Sequence, residues 1–148
     1  MVTQYMVVGF CFNSDKSEIA LIRKNHPDWQ KNKLNGIGGK MDDVEMHYEA
    51  MLREFKEEAG VDTKVTDWKM FARLAGNDFY LFCYACFDND IYKAVHSCEE
   101  EQIERWNVAD LLANPDQMIS NLPWLINMCL DSDFARMVSD VNYDGFQE

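Results

Sequence analysis

The segment Gly39–Val61 constrains the fold of this chain more than any other, because it predicts a short helix with two unlike faces. Apolar side chains recur in it at spacings of three and four residues, which is typical of a helix packed on a core. They are Tyr48, Met51, Leu52, Phe55 and Ala59. Gly60 can take the left-handed conformation that closes a helix, and Val61 follows as its apolar contact. We therefore expect a helix that ends at Gly60 and buries one face.

The other face of this helix carries three carboxylates. Glu54, Glu57 and Glu58 stand at positions i, i+3 and i+4, so their side chains lie together. Like charges at i, i+4 destabilise a helix by roughly 0.2–0.5 kcal/mol, and Arg53 is expected to offset this as a partner of Glu57 and Glu49. A solvated acidic face is the ordinary interpretation. Because a glycine turn and a further carboxylate precede the helix, we favour a divalent cation, since Mg²⁺ takes carboxylates together with waters and substrate phosphates.

The whole segment matches the Nudix box, Gly-x5-Glu-x7-Arg-Glu-apolar-x-Glu-Glu-x-Gly-apolar, at every defined position. The chain therefore resembles the Nudix hydrolases, a family that cleaves nucleoside diphosphates linked to another group. This resemblance implies a metal cofactor, Mg²⁺ with Mn²⁺ as an alternative. It also implies a set of metal ligands, namely Gly39, Glu54, Glu57 and Glu58. Glu45 and Arg53 would hold the loop and orient the carboxylates.

The elements around the box predict an α+β fold. Strands are expected at Tyr5–Phe12, Glu18–Arg23, Val65–Leu74, Phe79–Phe87 and Ile103–Val108, and the tail Phe134–Val141 is expected to add an edge strand. A helical turn is expected at Ala109–Asn114 and an amphipathic helix at Leu122–Leu130, whereas Lys24–Leu34 and Asp88–Ser97 are expected to be loops. The order agrees with a Nudix-type α/β/α sandwich, a mixed β-sheet with the box helix on one side and the C-terminal helix on the other.

Length and charge limit the partners of the protein. A chain of 148 residues suits one domain, 1–148. The net charge of −12, with 14 Lys and Arg residues, argues against binding a nucleic acid polymer through its phosphates. No signal peptide and no apolar run long enough for a bilayer is recognisable. We expect a cytoplasmic protein with a small-molecule nucleotide as partner and no membrane, and the oligomeric state stays open.

Five cysteines are scattered along the chain. Cys83 and Cys86 have the spacing of a redox motif, but strand alternation would send their side chains to opposite faces of the sheet. No second cysteine pair or paired histidine completes a zinc site. We therefore expect buried, reduced thiols.

Hydrolysis of a diphosphate needs charge neutralisation, a positioned water and a base. Metal bound by the box glutamates would supply the first and activate the second. Because those glutamates would be occupied, the base is expected in the acidic loop Glu99–Glu101, where Glu101 is favoured by its distance from Trp106. A glutamate of the box is the alternative, and the acidic loop could also be merely solvated. The predicted catalytic residues are thus Arg53, Glu54, Glu58 and Glu101.

The substrate-binding prediction rests on a glycine-rich run, Leu34–Lys40, which resembles the Trp-Asn-Gly-x-Gly-Gly-Lys run of oxidised-purine nucleoside triphosphatases. The resemblance implies that Asn35 contacts the base, although Asn35 could instead only shape the turn. Where those enzymes place two aspartates, this chain has Ser120 and Asn121. The predicted substrate-binding residues are Arg23, Asn35, Gly38, Gly39 and Lys40.

The sequence therefore predicts a metal-dependent pyrophosphohydrolase that cleaves a nucleoside triphosphate to the monophosphate and pyrophosphate. An oxidised purine such as 8-oxo-dGTP is one candidate. The alternatives are another nucleoside diphosphate-linked substrate (a nucleotide sugar, ADP-ribose or a dinucleoside polyphosphate) or a non-catalytic nucleotide-binding module.

Overall fold

The structure is a computed structural model and describes residues 3–133 and 136–143. In these residues the strands are β1 (Gln4–Phe12), β2 (Glu18–Arg23), β3 (Leu34–Asn35), β4 (Ile37–Lys40), β5 (Lys69–Ala75), β6 (Phe79–Phe87), β7 (Gln102–Asn107) and β8 (Ser139–Asn142). The α-helices are α1 (His47–Ala59), α2 (Asn89–Ala94), α3 (Val108–Leu112) and α4 (Leu122–Leu130). None of the described helices has the length and apolar character needed to cross a membrane.

The strands form one mixed sheet with β1 at its centre. The strand order is β3-β2-β1-β6-β5-β8, with β4 paired to β1 and β7 paired to β2. β1 runs parallel to β6 from Gln4 opposite Phe79 to Phe12 opposite Phe87, and antiparallel to β4 and β2. The Gly-rich strand β4 is thereby fixed beside the middle of the sheet.

The sheet separates two apolar cores, because alternate side chains of β1 and β6 point to opposite faces. One core packs α1 on the sheet and contains Met51, Phe55 and Cys86. The other packs α3 and α4 on the opposite face and contains Leu125 and Cys83. The predicted α+β sandwich with a mixed sheet is confirmed, as is the separation of the two cysteines to opposite faces.

Several boundaries differ from the sequence prediction. β1, β7 and α3 each begin one residue earlier than predicted, and the predicted loop Lys24–Leu34 contains a 3₁₀ turn, Asp28–Gln30, and ends in β3. Two larger differences have a local cause. The predicted strand Val65–Leu74 begins late, because Val65–Asp67 forms a 3₁₀ turn in which the Asp67 carboxylate accepts the Lys64 N–H at 2.7 Å. The predicted loop Asp88–Ser97 contains α2, because the Asp88 carboxylate caps its first turn by accepting the Ile91 N–H at 2.9 Å.

Three further predictions change in part. Cys98 is exposed, whereas the other four cysteines are buried as expected. Tyr48, assigned to the buried stripe of the box helix, is exposed at the start of α1. The tail does add an edge strand, β8, but Phe134 lies outside the described residues. The assignment of residues 1–148 to one domain stays a prediction.

Candidate active site

The box helix α1 ends at Gly60, as the sequence predicts. The Glu49 carboxylate accepts the Met46 N–H at 2.9 Å and so caps the first turn. Gly60 ends the helix in the left-handed conformation, with φ 77°, and its N–H donates to the Lys56 carbonyl. Met51 and Phe55 are fully buried on the sheet. The helix is thus held rigidly, with its carboxylates beside β4.

Gly39 on β4 lets one of these carboxylates approach the backbone closely. A Cβ atom at Gly39 would lie 2.6 Å from the Glu54 carboxylate, a distance that real Cβ contacts essentially never show. At Gly38 a Cβ would lie 2.0 Å from the Val7 carbonyl oxygen of β1. The two glycines therefore allow β1, β4 and α1 to converge on one place.

Two of the three box carboxylates are shielded from solvent there. Glu54 is only 9% exposed, and burial raises its pKa although Arg53 opposes the rise. Burial and the neighbouring Glu54 raise the pKa of Glu58 to about 8. Oε2 of Glu58 is buried and has no hydrogen-bond partner within the described residues. Glu57 is half exposed and faces Arg53 at 3.2 Å. A bound cation would stabilise the ionised form of these two carboxyl groups and so lower their raised pKa values.

Arg53 joins the loop before α1 to the carboxylates of the helix. Its guanidinium donates to both oxygens of Glu45, at 2.7 and 2.8 Å, and to Glu54 at 3.0 Å. It also donates to the Lys40 carbonyl at 3.0 Å. The expected partner Glu49 instead caps the helix. Arg53 is therefore a cross-link between β4, the loop and α1.

A cleft of about 840 Å³ opens over these carboxylates. Its polar part includes Lys24, Gly38, Gly39, Lys40, Glu54, Glu58 and Glu99–Glu101. Its apolar part includes Met6, Val8, Phe79, Leu81, Ile119 and Leu125, with Trp29, Gln30, Asn35, Asn121 and Tyr143 beside them. One cleft thus offers a highly charged region and a neutral, mainly apolar region.

Glu101 lies in the cleft but its carboxylate is already engaged. It accepts the Lys24 ammonium at 2.9 Å, the Asn25 N–H at 2.5 Å and the His26 N–H at 3.4 Å. Burial alone would raise its pKa, yet these donors hold the pKa below its usual range. Glu99 is exposed, and its charge raises the pKa of both Glu54 and Glu58. Position therefore favours Glu99 as a base, and the assignment to Glu101 stays a prediction.

Lys24 is a further cation beside the carboxylates, and it was not predicted from the sequence. Its charge lowers the pKa of Glu58, and it lines the cleft. The predicted Arg23 is not among the lining residues. Its guanidinium donates to both oxygens of Glu104, at 2.7 and 2.8 Å, and to Gln117 at 3.0 Å. No pattern of neighbouring residues marks Lys24, because its partner Glu101 lies 77 positions away in the sequence.

Two asparagine side chains line the neutral part of the cleft. Asn35 donates to Gln30 at 2.9 Å and accepts the Gly36 N–H at 2.7 Å, so it shapes the turn and keeps some hydrogen-bonding capacity. Asn121 donates to the Tyr143 hydroxyl at 3.1 Å. Oδ1 of Asn121 is buried and has no partner within the described residues. A buried acceptor left in this way calls for a ligand or a water.

The donor set fits a hard divalent cation that keeps part of its own shell. Within residues 3–133 and 136–143, no three carboxylate, imidazole or thiol side chains are close enough together to hold an ion unaided. Mg²⁺ needs only one or two carboxylates when waters and phosphates complete its six ligands. The buried oxygens of Glu54 and Glu58, with the unpartnered Glu58 Oε2, meet that need.

Comparison with known proteins agrees with this geometry. The family model of the NUDIX domain matches residues 3–125. The chain belongs to the Nudix family. A solved MutT structure, described for Aliivibrio salmonicida and Vibrio cholerae, is 27% identical with a TM-score of 0.68, covering 84% of this chain and 95% of that one. A search of the curated proteins found no significant match.

Two further solved structures share the Nudix fold. MutT of Bacillus halodurans is 19% identical, with a TM-score of 0.70 over 98% of this chain and 93% of its own. The NUDIX domain of Shewanella oneidensis NrtR, solved with ADP ribose, is 18% identical, with a TM-score of 0.71 over 86% of each chain. The predicted enzyme class, a Nudix hydrolase acting on pyrophosphate bonds, is confirmed.

Proposed function

We propose that this Nudix hydrolase cleaves a nucleoside triphosphate to the monophosphate and pyrophosphate. One observation carries the proposal. A single cleft joins the carboxylates of α1 to a neutral, mainly apolar region that contains the unpartnered Oδ1 of Asn121. A triphosphate would lie over the carboxylates while its base enters the apolar region.

At the phosphate end, Glu54, Glu57 and Glu58 would hold Mg²⁺, or Mn²⁺, with the backbone at Gly39. The ion supplies neutralisation of phosphate charge and a lower pKa for a bound water. Lys24 and Lys40 would attract the phosphate chain, and the backbone of Gly38, whose N–H faces the Glu58 carboxylate, would border it. Arg53 would keep the carboxylates oriented, as groups behind metal ligands do.

The proposed reaction breaks one bond of the bridge between the α- and β-phosphorus atoms. A water oxygen bonds to phosphorus, the bridging P–O bond breaks, and the bridging oxygen leaves with the other phosphate group. The water gives its proton to a carboxylate. Glu99 is the base that we favour, since it lines the cleft near Glu54 and Glu58 and, unlike Glu101, is not buried.

At the base end, the walls are apolar and the polar groups uncharged, which suits a nucleobase rather than a second phosphate. Oδ1 of Asn121 is an acceptor and needs an N–H donor. Guanine presents an acceptor at N7, whereas oxidation at C8 places a hydrogen on N7. Both bases carry N–H groups at N1 and N2, so the amide would favour 8-oxo-dGTP over dGTP when Oδ1 faces N7, where only the oxidised base is a donor.

A nucleotide panel with Mg²⁺, analysed by chromatography of the products, tests the proposal. We expect 8-oxo-dGTP to yield the monophosphate and pyrophosphate with the highest kcat/KM. The panel also contains dGTP, dATP, ADP-ribose, a nucleotide sugar and a dinucleoside polyphosphate. If ADP-ribose, the nucleotide sugar or the dinucleoside polyphosphate were cleaved with the highest kcat/KM, the proposal that the substrate is a nucleoside triphosphate would be wrong. Binding with no cleavage of any compound would favour the non-catalytic module.

A matched pair of variants assigns the activity to the site. Glu58→Gln should lower kcat by about two orders of magnitude or more, because it removes a ligand charge at nearly constant volume. Glu49→Gln, on the same helix, should leave turnover unchanged because glutamine also forms the cap. Equal turnover in the two variants would contradict the assignment of the activity to this site.

A cytoplasmic location belongs to the same proposal, supported by free cysteines that suit a reducing compartment.

A further inference from the structure

We propose that Tyr143 is a specificity-determining residue, which positions the Asn121 amide against the base of the substrate. The inference rests on the proposed function and adds a residue outside the range matched by the family model, residues 3–125. It also explains what the last strand, β8, does for the site.

β8 carries Tyr143 to the cleft through a fixed register. The strand runs parallel to β5, from Ser139 opposite Ala72 to Asn142 opposite Ala75. The Arg73 guanidinium donates to both oxygens of Asp140, at 2.7 and 3.0 Å. The Tyr143 N–H then donates to the Ala75 carbonyl at 2.9 Å. Because each of these contacts specifies one alignment of the two strands, the residue after β8 has a defined position.

The side chain of Tyr143 contacts two residues, Phe79 and Asn121, in the neutral part of the cleft. Its ring packs edge-on against Phe79 on β6, with centroids 5.4 Å apart and planes inclined by 70°. Its hydroxyl accepts a hydrogen bond from Asn121 Nδ2 at 3.1 Å. Tyr143, Phe79 and Asn121 all line the cleft.

The Asn121 amide depends on this hydroxyl for its orientation. Asn121 precedes α4 but makes no side-chain cap to that helix. Within the described residues, the Tyr143 hydroxyl is the hydrogen-bond partner found for its side chain. With Nδ2 committed to Tyr143, Oδ1 is left as an acceptor. An amide that lost this partner could rotate and offer a donor instead, so the preference for an N–H on the base would weaken.

The test compares Tyr143→Phe with Tyr5→Phe in the full chain. Phenylalanine keeps the ring on Phe79 and removes only the hydroxyl, so a gross loss of fold is not expected. We expect Tyr143→Phe to reduce the kcat/KM ratio of 8-oxo-dGTP to dGTP about five- to tenfold, the effect of about one hydrogen bond. KM should rise more than kcat falls. Tyr5 is exposed on the other face of the sheet, and its variant should keep the ratio.

A second measurement needs no turnover. The side-chain amide signals of Asn121 in a ¹⁵N NMR spectrum, identified by their loss in Asn121→Ala, should shift in Tyr143→Phe and stay in place in Tyr5→Phe. An unchanged amide signal together with an unchanged kcat/KM ratio would overturn the role of Tyr143. A shifted amide signal in a protein that cleaves none of the nucleotides would support the positioning and instead refute the proposed function.

A third variant changes the strand without touching the cleft. Asp140→Asn weakens the ion pair to Arg73 and should loosen β8, so it should alter the kcat/KM ratio in the same direction by a smaller factor.

A double variant tests whether Tyr143 acts through Asn121. In the background of Asn121→Ala, Tyr143→Phe should have no further effect on the kcat/KM ratio. Additive effects of the two substitutions would mean that Tyr143 acts on the base independently of Asn121, which would overturn the inference.

Discussion

At the scale of residues, the adjacent cations Arg23 and Lys24 have different roles because they have different hydrogen-bond partners. The Arg23 guanidinium donates hydrogen bonds to Glu104 and to Gln117. Lys24 instead lines the cleft, where its ammonium donates to Glu101, a carboxylate that also accepts two backbone N–H groups. A guanidinium with two such acceptors has few donors left for a phosphate. The ammonium of Lys24 keeps donors that Glu101 does not occupy.

The two cations should therefore separate stability from substrate binding. Arg23→Ala should lower the free energy of unfolding by about 1–2 kcal/mol, since Glu104 loses a charged partner at a partly exposed position. Its turnover should stay within about twofold. Lys24→Ala should raise KM for the triphosphate by about tenfold. Urea unfolding and steady-state kinetics of both variants check this, and the reverse pattern would restore Arg23 as a substrate ligand.

The Arg23 effect should also depend on pH. Hydrogen bonds from Arg23 hold the pKa of Glu104 below its usual value of 4.5. A carboxyl with a depressed folded-state pKa stabilises the fold above its unfolded pKa and loses that contribution as pH falls through the folded pKa. The melting-temperature difference between wild type and Arg23→Ala should be constant above pH 4.5 and shrink below it. A difference that grew in acid would contradict the pairing.

At the scale of elements, the strand β4, the loop after it and α1 act as one unit. Gly39 allows the Glu54 carboxylate to lie against β4, and Arg53 ties the loop to the helix. Both contacts are made by polar groups, so their loss removes no apolar side chain from the core. Damage to this unit should therefore reduce catalysis more than it reduces stability.

Gly39→Ala tests the close approach. The added methyl would displace the Glu54 carboxylate, so we expect kcat/KM to fall about 10–100-fold, as when a metal ligand loses its orientation. The free energy of unfolding should fall by only about 1–3 kcal/mol. Asp43→Ala, at an exposed position of the same loop, serves as the control for a changed loop. Equal kcat/KM in the two variants would show that the contact is not needed.

Arg53→Ala tests the cross-link. Its loss leaves Glu45 and Glu54 without their main cation, and kcat/KM should fall about 10–100-fold. Lys56→Ala is the control. It removes an exposed cation of the same helix that pairs with Asp62, and it should change kcat/KM less than about twofold. A loss for Arg53→Ala no larger than that for Lys56→Ala would assign Arg53 to the surface.

At the scale of the whole molecule, charge decides how a nucleotide can bind. The chain has 26 acidic and 14 basic residues, giving a net charge of −12. A triphosphate approaching a cleft with Glu54, Glu58 and Glu99 is repelled unless a cation intervenes. The described cations of the cleft, Lys24 and Lys40, are fewer than its carboxylates.

Binding of a non-hydrolysable triphosphate should therefore require a divalent ion. Isothermal titration calorimetry with Mg²⁺ should give a Kd lower by about tenfold or more than titration with a chelator. The chelator titration is matched in ionic strength with NaCl, so that screening alone cannot explain the difference. Equal affinity under the two conditions would contradict metal-assisted binding.

The sequence predicted the parts of this molecule that depend on local patterns. The alternation of Phe79–Phe87 placed Cys83 and Cys86 on opposite faces, and the spacing in Gly39–Val61 predicted α1 with its left-handed Gly60. Lys24 and Tyr143 were missed because their positions depend on partners far away in the chain. Glu101 holds Lys24 across the cleft, and β5 aligns the strand before Tyr143. Patterns of adjacent residues carry no signal for such pairings.

The position of β8 at the edge of the sheet also has an evolutionary consequence. A strand at the end of the strand order among the described residues, with no fully buried side chain, tolerates substitution better than the buried strands β1 and β6. The residue that follows it lines the cleft, whereas the carboxylates proposed to bind the metal come from a distant segment of the chain. Descendants of this protein could therefore exchange one nucleotide for another through changes in the last strand, with the hydrolytic machinery inherited intact.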